Sequence, residues 1–170
     1  MAFVDPVTIQ DPTVNVVATF QWGDAVNAAM NWNHDAKAGC LLTTSVSTAV
    51  VTDTAIPWAT ETYDVNACHS TVTNTERITV PTNWAGLWFV HAQIFTTTST
   101  STAWIRVNGT TKIVGKSSND AGGTNAGTSF CTIWDAAVGD YFEVVVTGGS
   151  NIDGAGTTGV NRFGGYWMHG

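Results

Sequence analysis

The segment Trp104-Ile-Arg-Val-Asn-Gly-Thr-Thr-Lys-Ile-Val114 decides the fold class of this chain. Two runs rich in β-branched side chains flank Asn108-Gly109, and this dipeptide favours the type I′ turn of a β-hairpin because both residues tolerate positive φ. From about Leu41 onward, similar short runs alternate with turn residues, and no further helical period is seen. The sequence therefore predicts antiparallel strands through most of the chain.

The predicted strands are short and bounded by Gly, Asn, Asp, Ser or Pro. They are Leu41–Val51, Ala55–Ala59, Glu76–Val80, Leu87–Phe95, Ala103–Val107, Thr111–Val114, Thr128–Trp134, Tyr141–Val146 and Gly159–Met168. Strands at this spacing predict an all-β fold, an antiparallel sandwich of the jelly-roll type. The polar runs 96–102, 117–127 and 148–159 are interpreted as exposed loops.

The composition excludes several classes of protein. Only 11% of the 170 residues are charged, and eight Trp and seven Phe argue against disorder. The net charge is −7 and no basic stripe is present, so we expect no nucleic-acid partner. We expect no membrane partner either, because no apolar run reaches the roughly 18 residues of a spanning helix. The first residues lack the pattern of a secretory signal.

The motifs that suggest chemistry lack the context that the chemistry requires. His69-Ser70 and His34-Asp35 have no third partner at a triad or metal-ligand spacing, and His91 is interpreted as a core or interface imidazole. Gly154–Gly159 matches the letters of a dinucleotide-binding loop, but a strand rather than a helix is predicted after it. The sequence therefore predicts no catalytic residue, no cofactor and no metal ligand.

The acidic residues are interpreted as solvated turn residues. Asp120, Asp135, Asp140 and Asp153 lie in predicted loops, without the Asp-x-Asp-x-Asp pattern of a calcium loop. A polysaccharide hydrolase needs two placed carboxylates, and no spacing among Asp135, Asp140, Glu143 and Asp153 selects a pair. We therefore expect a protein that is not an enzyme.

The three cysteines, Cys40, Cys68 and Cys131, are odd in number and have no close spacing. This count matches neither a disulfide framework nor a zinc site. They are interpreted as buried free thiols, with a Cys68–Cys131 bridge as the alternative.

Adjacent aromatic residues in the strands are the most informative feature. The pairs Trp88-Phe89, Tyr141-Phe142 and Tyr166-Trp167 must point to opposite faces of a sheet, so both faces carry large rings. One face can form the core, and the other needs a second layer. An oligomer interface supplies that layer most simply, and a sugar-stacking site is the alternative.

Residues 1–35 differ from the rest of the chain. The steps Asp5-Pro6 and Asp11-Pro12 favour extended geometry, which predicts an extended arm. A short amphipathic helix is predicted after it. Its anchoring face is Trp22, Val26, Ala29 and Met30.

Further motifs follow in order from residue 55 onward. They are Trp58 followed by Asp64, Ile78-Thr-Val-Pro81, Ala85-Gly-Leu-Trp-Phe-Val90, Trp104-Ile-Arg-Val-Asn-Gly109, Ala137-Val-Gly-Asp140 with the strand after it, and Phe163-Gly-Gly-Tyr-Trp-Met168. This order resembles the globular head domain of the q subunit of the first complement component, a trimeric jelly roll related to tumour necrosis factor. The resemblance implies a trimeric knob at residues 55–170, with 36–54 as a connecting segment or first strand.

The N-terminal segment is similar to one met in virion proteins of tailed phages, on Asp11-Pro-Thr-Val14 and Trp22-Gly-Asp-Ala-Val-Asn27. Together the resemblances imply a homotrimeric capsid decoration protein on the virion surface, assembled in the host cytoplasm. Its residues 1–35 would bind the major capsid protein or another virion protein. The trimer interface is predicted at Trp88, Tyr141 and Trp167. The alternative is a tail-fibre tip or adhesin that recognises a host glycan or protein through its loops.

Overall fold

The computed structural model describes residues 37–44, 48–49, 53–96, 100–119, 126–147, 151–152 and 161–170. These ranges contain twelve β-strands in two antiparallel sheets, so the predicted all-β sandwich is confirmed. The chain divides into two compact units, 1–37 and 38–170, and the second unit contains all twelve strands. The predicted arm and helix, with the anchoring residues Trp22, Val26, Ala29 and Met30, lie outside the described residues. Within the described ranges, no helix has the length and apolarity needed to cross a membrane.

The first sheet contains seven strands, numbered here in chain order. They are β1 (Gly39–Thr44), β2 (Thr48–Ala49), β4 (Thr60–Val65), β6 (Gly86–Thr96), β9 (Ala126–Ala136), β11 (Asn151–Ile152) and β12 (Asn161–His169). The order across the sheet is β2-β11-β6-β12-β1-β4, and β9 also pairs with β6. The β6–β9 ladder runs from Gly86↔Ala136 to Thr96↔Ala126, which places β6 near the middle of the sheet.

The second sheet contains five strands. They are β3 (Thr54–Ala55), β5 (Arg77–Thr79), β7 (Thr100–Val107), β8 (Thr111–Asn119) and β10 (Tyr141–Thr147). The order is β3-β10-β7-β8, and β5 pairs with β10 as well. Consecutive strands therefore often lie in different sheets, as a jelly roll requires.

The core lies between the two sheets and is filled by alternate residues of the strands. Trp88, Val90 and Ile94 of β6 are wholly buried, as is Phe142 of β10. The rings of Trp88 and Phe142 approach to 6.2 Å between centroids. Burying each such side chain contributes on the order of 2–3 kcal/mol. Trp88 was predicted at a trimer interface, and that prediction is wrong because its side chain has no exposed surface.

The hairpin predicted at Asn108-Gly109 is confirmed. Asn108 has φ 52° and Gly109 has φ 72°, the positive values that a type I′ turn requires at both central residues. The Thr110 amide donates to the Val107 carbonyl at 3.2 Å and closes the turn. Strands β7 and β8 leave this turn as neighbours in the second sheet.

The structure differs from the sequence prediction in its polar segments. Strand β4 was not predicted, and neither was β11. Parts of the predicted loops 96–102 and 117–127 are strand, since β7 begins at Thr100, β8 extends to Asn119 and β9 begins at Ala126. Thr100 and Thr102 pair with Asn119 and Ser117. Their backbone hydrogen bonds are satisfied by pairing, which needs no apolar alternation.

Four strand glycines lie directly opposite an aromatic or imidazole ring on the neighbouring strand. The pairs are Gly39↔Tyr166, Gly164↔His91, Gly127↔Phe95 and Gly115↔Trp104. A Cβ added at Gly127 would lie 2.7 Å from the Phe95 ring, and at Gly39 it would lie 3.2 Å from the Tyr166 ring. At Gly164 and Gly115 the added carbon would overlap the ring. Each ring occupies the space that the missing side chain leaves.

Candidate functional site

The exposed apolar surface is concentrated on the first sheet. Among the described residues, six large apolar side chains are exposed, and four of them belong to four different strands of this sheet. These four, with their exposed fractions, are Tyr63 (38%), Leu87 (41%), Ile133 (53%) and Met168 (46%). The other two, Val72 and Val138, lie in loops. Leu87 and Ile133 lie on the outward side of the sheet, because β6 alternates and Ile133 is the partner of Phe89. Exposed apolar side chains on one face commonly mark a surface that is buried by a partner.

Four rings form a cluster on this outer surface, here called the aromatic face: Tyr63, Phe89, His91 and Tyr166. His91 and Tyr166 are stacked with their planes 6° apart and their centroids 5.7 Å apart. Phe89 stacks on both of them, at 5.8 Å from His91 and 6.4 Å from Tyr166. Tyr63 lies 6.1 Å from Tyr166. Such spacings are those of attractive ring pairs.

The alternation of the strands produces this face. On β6, Trp88 and Val90 point into the core, so Phe89 and His91 point outward. On β12, Phe163 is buried in the core, and Tyr166 lies on the side opposite to it. Gly164 is the partner of His91 across the two strands, and its missing side chain lets the imidazole lie flat beside Tyr166.

An open cavity of about 640 Å³ borders the rings. Its polar side chains are Gln93, Ser129 and Arg162, and the exposed thiol of Cys131 lies opposite His91 on β9. Partial burial lowers the pKa of His91, and the positive charge of Arg162 lowers it further. Desolvation raises the pKa of the Tyr63 hydroxyl, and its hydrogen bond with Tyr166 acts in the same direction. His91 and Tyr63 are therefore uncharged at neutral pH.

The three residues predicted for the trimer interface do not form one surface. Trp88 is in the core. Trp167 packs edge-on against Trp84 at 5.0 Å, and its indole N–H donates to the Ala85 carbonyl at 3.0 Å. Tyr141 belongs to the second sheet, where the Arg77 guanidinium lies 4.5 Å above its ring. In two of the aromatic pairs, the partners Phe89 and Tyr166 are the residues that point outward.

His69 and Ser70 are engaged in local structure rather than with each other. The His69 side chain is wholly buried, its Nδ1 lies 2.8 Å from a Glu61 carboxylate oxygen, and its Nε2 lies 3.1 Å from the Thr75 carbonyl. Ser70 Oγ accepts hydrogen bonds from the amides of Val72 and Thr73. Neither imidazole nitrogen is available to activate the hydroxyl.

Two of the carboxylates considered for chemistry, Glu143 and Asp140, have structural partners, whereas Asp135 is exposed on β9 and not in the predicted loop. Glu143 Oε2 accepts a 2.7 Å hydrogen bond from Arg106 Nε. Asp140 accepts from the Asn108 side chain at 2.8 Å and from the Ala137 amide at 2.9 Å. Nowhere in the described ranges do three His, Cys, Asp or Glu side chains gather so that they could hold a metal ion. His34, Asp35, Asp120, Asp153 and the run 154–159 lie outside the described residues.

The cysteines divide into a buried pair and an exposed thiol. Cys40 and Cys68 are buried as predicted, whereas Cys131 is exposed on β9, so the prediction is wrong for Cys131. Three strands separate β4, which precedes Cys68, from β9. With strands about 4.8 Å apart, this separation far exceeds the roughly 7 Å that a disulfide can span between Cα atoms. The alternative Cys68–Cys131 bridge is therefore excluded.

Comparison with known proteins finds a similar structure but no similar sequence. No family model matches the chain, and no curated protein matches it. The structure is similar to the globular domain of the zebrafish complement 1qA protein, with a TM-score of 0.64 and 9% sequence identity. The similarity covers 78% of this chain and 98% of the zebrafish domain. At this identity the likeness shows the fold alone: the sandwich of this chain is a jelly roll of the complement 1q type.

Proposed function

We propose that this chain is a non-enzymatic virion protein of a tailed phage, a homotrimeric knob that decorates the head and is anchored by residues 1–35. The observation that carries the proposal is the aromatic face, where stacked rings and exposed aliphatic side chains lie on one side of one sheet. The number three and the phage context come from the two sequence resemblances. The complement-type fold is consistent with them.

The outer surface of the first sheet is large enough for a stable interface. Strand β6 has 11 residues, which at about 3.3 Å per residue is about 36 Å long. The other strands that carry this face are β9, β12, β1 and β4, with 11, 9, 6 and 6 residues, and neighbouring strands lie about 4.8 Å apart. The resulting area of roughly 700 Å² approaches the roughly 800 Å² that each partner contributes to a standard interface.

The chemistry of the face also suits burial against protein. Aromatic side chains are enriched at the centres of interfaces and contribute much of the binding free energy. His91 and Tyr63 are uncharged at neutral pH, so burying them requires no ion to lose its hydration. Arg162 and Gln93, which border the cavity, are available for hydrogen bonds at the rim of the interface.

Light scattering on the full chain tests the assembly. Three copies of the 18.0 kDa chain should give 54.0 kDa. Ile133→Glu places a charge on the aromatic side of the sheet and should give monomers of 18.0 kDa. Val138→Glu is the matched control, because Val138 is similarly exposed (51%) but belongs to the turn between β9 and β10 and to no strand of the sheet, and it should remain trimeric. A wild-type monomer or dimer overturns the proposal, as does a variant pair that behaves alike.

Gold-labelled antibody on intact virions tests the location. Label distributed over the heads supports decoration of the capsid. Label at the end of the tail overturns it and supports the adhesin alternative. Virions lacking residues 1–35 of this protein should lose the label if that segment anchors it, and unchanged label would overturn the anchoring role.

A further inference from the structure

We propose that Cys40 and Cys68 are a cross-linking site, at which an intramolecular disulfide joins β1 to the loop that follows β4. Both side chains are almost wholly buried, with exposed fractions of 0% and 1%. Both are held next to Asp64, Cys40 by the β1–β4 ladder and Cys68 by a backbone hydrogen bond. This inference is independent of the proposed trimer, because neither residue belongs to the aromatic face.

Asp64 fixes the position of Cys68 relative to Cys40. In the β1–β4 ladder, Cys40 is the direct partner of Asp64. The Asp64 carboxylate accepts the amide of Cys68 at 2.8 Å and that of His69 at 3.2 Å. The chain therefore turns back after β4 and brings the side chain of Cys68 to that of Cys40.

A hydrogen bond of the Cys68 thiol fixes the position of its sulfur. Cys68 Sγ donates to the Val65 carbonyl at 3.2 Å. Formation of a disulfide requires the two sulfurs to approach to about 2.05 Å. Side-chain rotation can achieve this, because strand pairing and Asp64 already hold the two backbones together.

Cys68 is the thiol with a route to solvent. It lines a small polar pocket of about 190 Å³, together with Ser70, Thr73 and Arg77. The hydrogen bond to Cys68, together with burial, raises the pKa of Cys40. Because the thiolate is the reactive form, Cys40 is a poor first nucleophile. Cys68 should react first and Cys40 should then displace the leaving group.

The oxidant in this scheme is a small-molecule disulfide such as oxidised glutathione. The Cys68 thiolate attacks one of its sulfurs, forming a mixed disulfide and releasing one glutathione thiolate. Cys40 loses its proton and displaces the second glutathione, so that one protein disulfide and two glutathione thiols result. The two electrons lost by the cysteines reduce the glutathione disulfide.

Peptide mapping of the oxidised full-length protein tests the proposal. The folded chain is incubated with oxidised glutathione, denatured, treated with an alkylating agent and digested with trypsin. Lys37 and Arg77 are successive cleavage sites, so one tryptic peptide carries both cysteines. We expect this peptide to be two hydrogen masses lighter than its reduced form and to carry no alkyl group. A second cleavage after Glu61 should leave the two halves linked.

Cys131 supplies the internal control in the Ile133→Glu variant, where no trimer covers its thiol, because it is exposed on β9 and distant from both buried cysteines. It should be modified by glutathione within the same incubation, which verifies the oxidant. The Cys131→Ser variant should still form the cross-link, which excludes exchange through Cys131. The proposal is overturned if Cys40 and Cys68 are both alkylated after Cys131 has reacted completely and the protein has been warmed to just below its Tm. A link from either of them to Cys131 also overturns it.

Discussion

Asn108 and Asp140 are 32 residues apart in the chain, and their side chains are joined by a 2.8 Å hydrogen bond from Asn108 Nδ2 to Asp140 Oδ1. The other amide atom, Asn108 Oδ1, accepts from the Tyr141 amide at 3.0 Å. The backbone amide of Asn108 donates to the Tyr141 carbonyl at 3.0 Å. The hairpin turn between β7 and β8 is thus fastened to the turn that precedes β10.

Two replacements of Asn108 distinguish the stability that its side-chain hydrogen bonds provide from the stability that depends on the positive φ of the turn. Asn108→Gly retains the positive φ but removes both side-chain hydrogen bonds, and we expect a loss of about 1–2 kcal/mol in the free energy of unfolding. Asn108→Ala should lose about 1 kcal/mol more, because alanine tolerates positive φ poorly. Urea unfolding at a fixed protein concentration measures both. Equal stability of the wild type and the glycine variant would contradict this account.

The Arg106–Glu143 ion pair should be worth more than the Lys112–Asp53 pair on the same sheet. The first joins side chains that are 17% and 7% exposed at 2.7 Å, and the second joins side chains that are 36% and 45% exposed at 2.9 Å. Glu143→Gln leaves a poorly hydrated arginine without its counter-charge and should cost about 3 kcal/mol. Asp53→Asn should cost less than about 1 kcal/mol. The same unfolding measurement applies, and similar losses would refute the ranking.

Gly164→Ala should change the ring packing on the aromatic face and leave the packing of the core unchanged. The added Cβ overlaps the His91 ring, which has to rotate away from Tyr166. We expect the His91 ring-proton signals to move toward the positions of an unstacked imidazole in the NMR spectrum. Gly165→Ala is the control, because its Cβ would contact Ile78 on the core side at 3.3 Å. It should lower the Tm and leave the His91 signals in place. Unchanged His91 signals in Gly164→Ala would disprove the overlap.

His91 should make the folded protein less stable in mild acid. An imidazole in the unfolded chain binds its proton at about pH 6.5, whereas burial and Arg162 lower the pKa of His91 in the folded protein. Between these two pKa values the unfolded state binds more protons than the folded state. Protonation of His91 therefore leaves the free energy of unfolding unchanged above about pH 6.5 and lowers it as the pH falls below that value.

The His91→Phe variant isolates this effect, because phenylalanine can stack on Tyr166 but cannot be protonated. Thermal unfolding between about pH 8 and about pH 5 should show a larger decrease in Tm for the wild type than for the variant. Parallel curves would exclude His91 as the source.

The sequence correctly predicted those elements whose conformation is determined by their own residues. Asn108-Gly109 defines its hairpin because its conformation is set by the two residues themselves. Strand β4 was missed because most of its side chains are exposed, so the segment has no alternation of apolar and polar residues. Without β4, the proximity of Cys40 and Cys68 could not be inferred, since their contact depends on the β1–β4 ladder.

The candidate interface shows a second kind of limit. Because side chains alternate along a strand, Trp88 and Phe89 must face opposite sides of the sheet, but the alternation does not show which of them faces the core. That choice is made by the second sheet, where Phe142 packs against Trp88. The aromatic pairs therefore predicted that an outer ring surface exists, and the tertiary fold was needed to identify its members.

The pairing of strand glycines with rings has a consequence for how the chain selects its strand alignment during folding. A sheet that slips by two residues keeps its inward and outward faces, so burial alone penalises such an error weakly. Here a slip of that size would move His91 from Gly164 to Arg162 or Tyr166, and Phe95 from Gly127 to another residue with a Cβ. Each mispaired ladder would lose a contact that only the native alignment provides. The glycines therefore favour the native register, and they do so in four different pairs of strands.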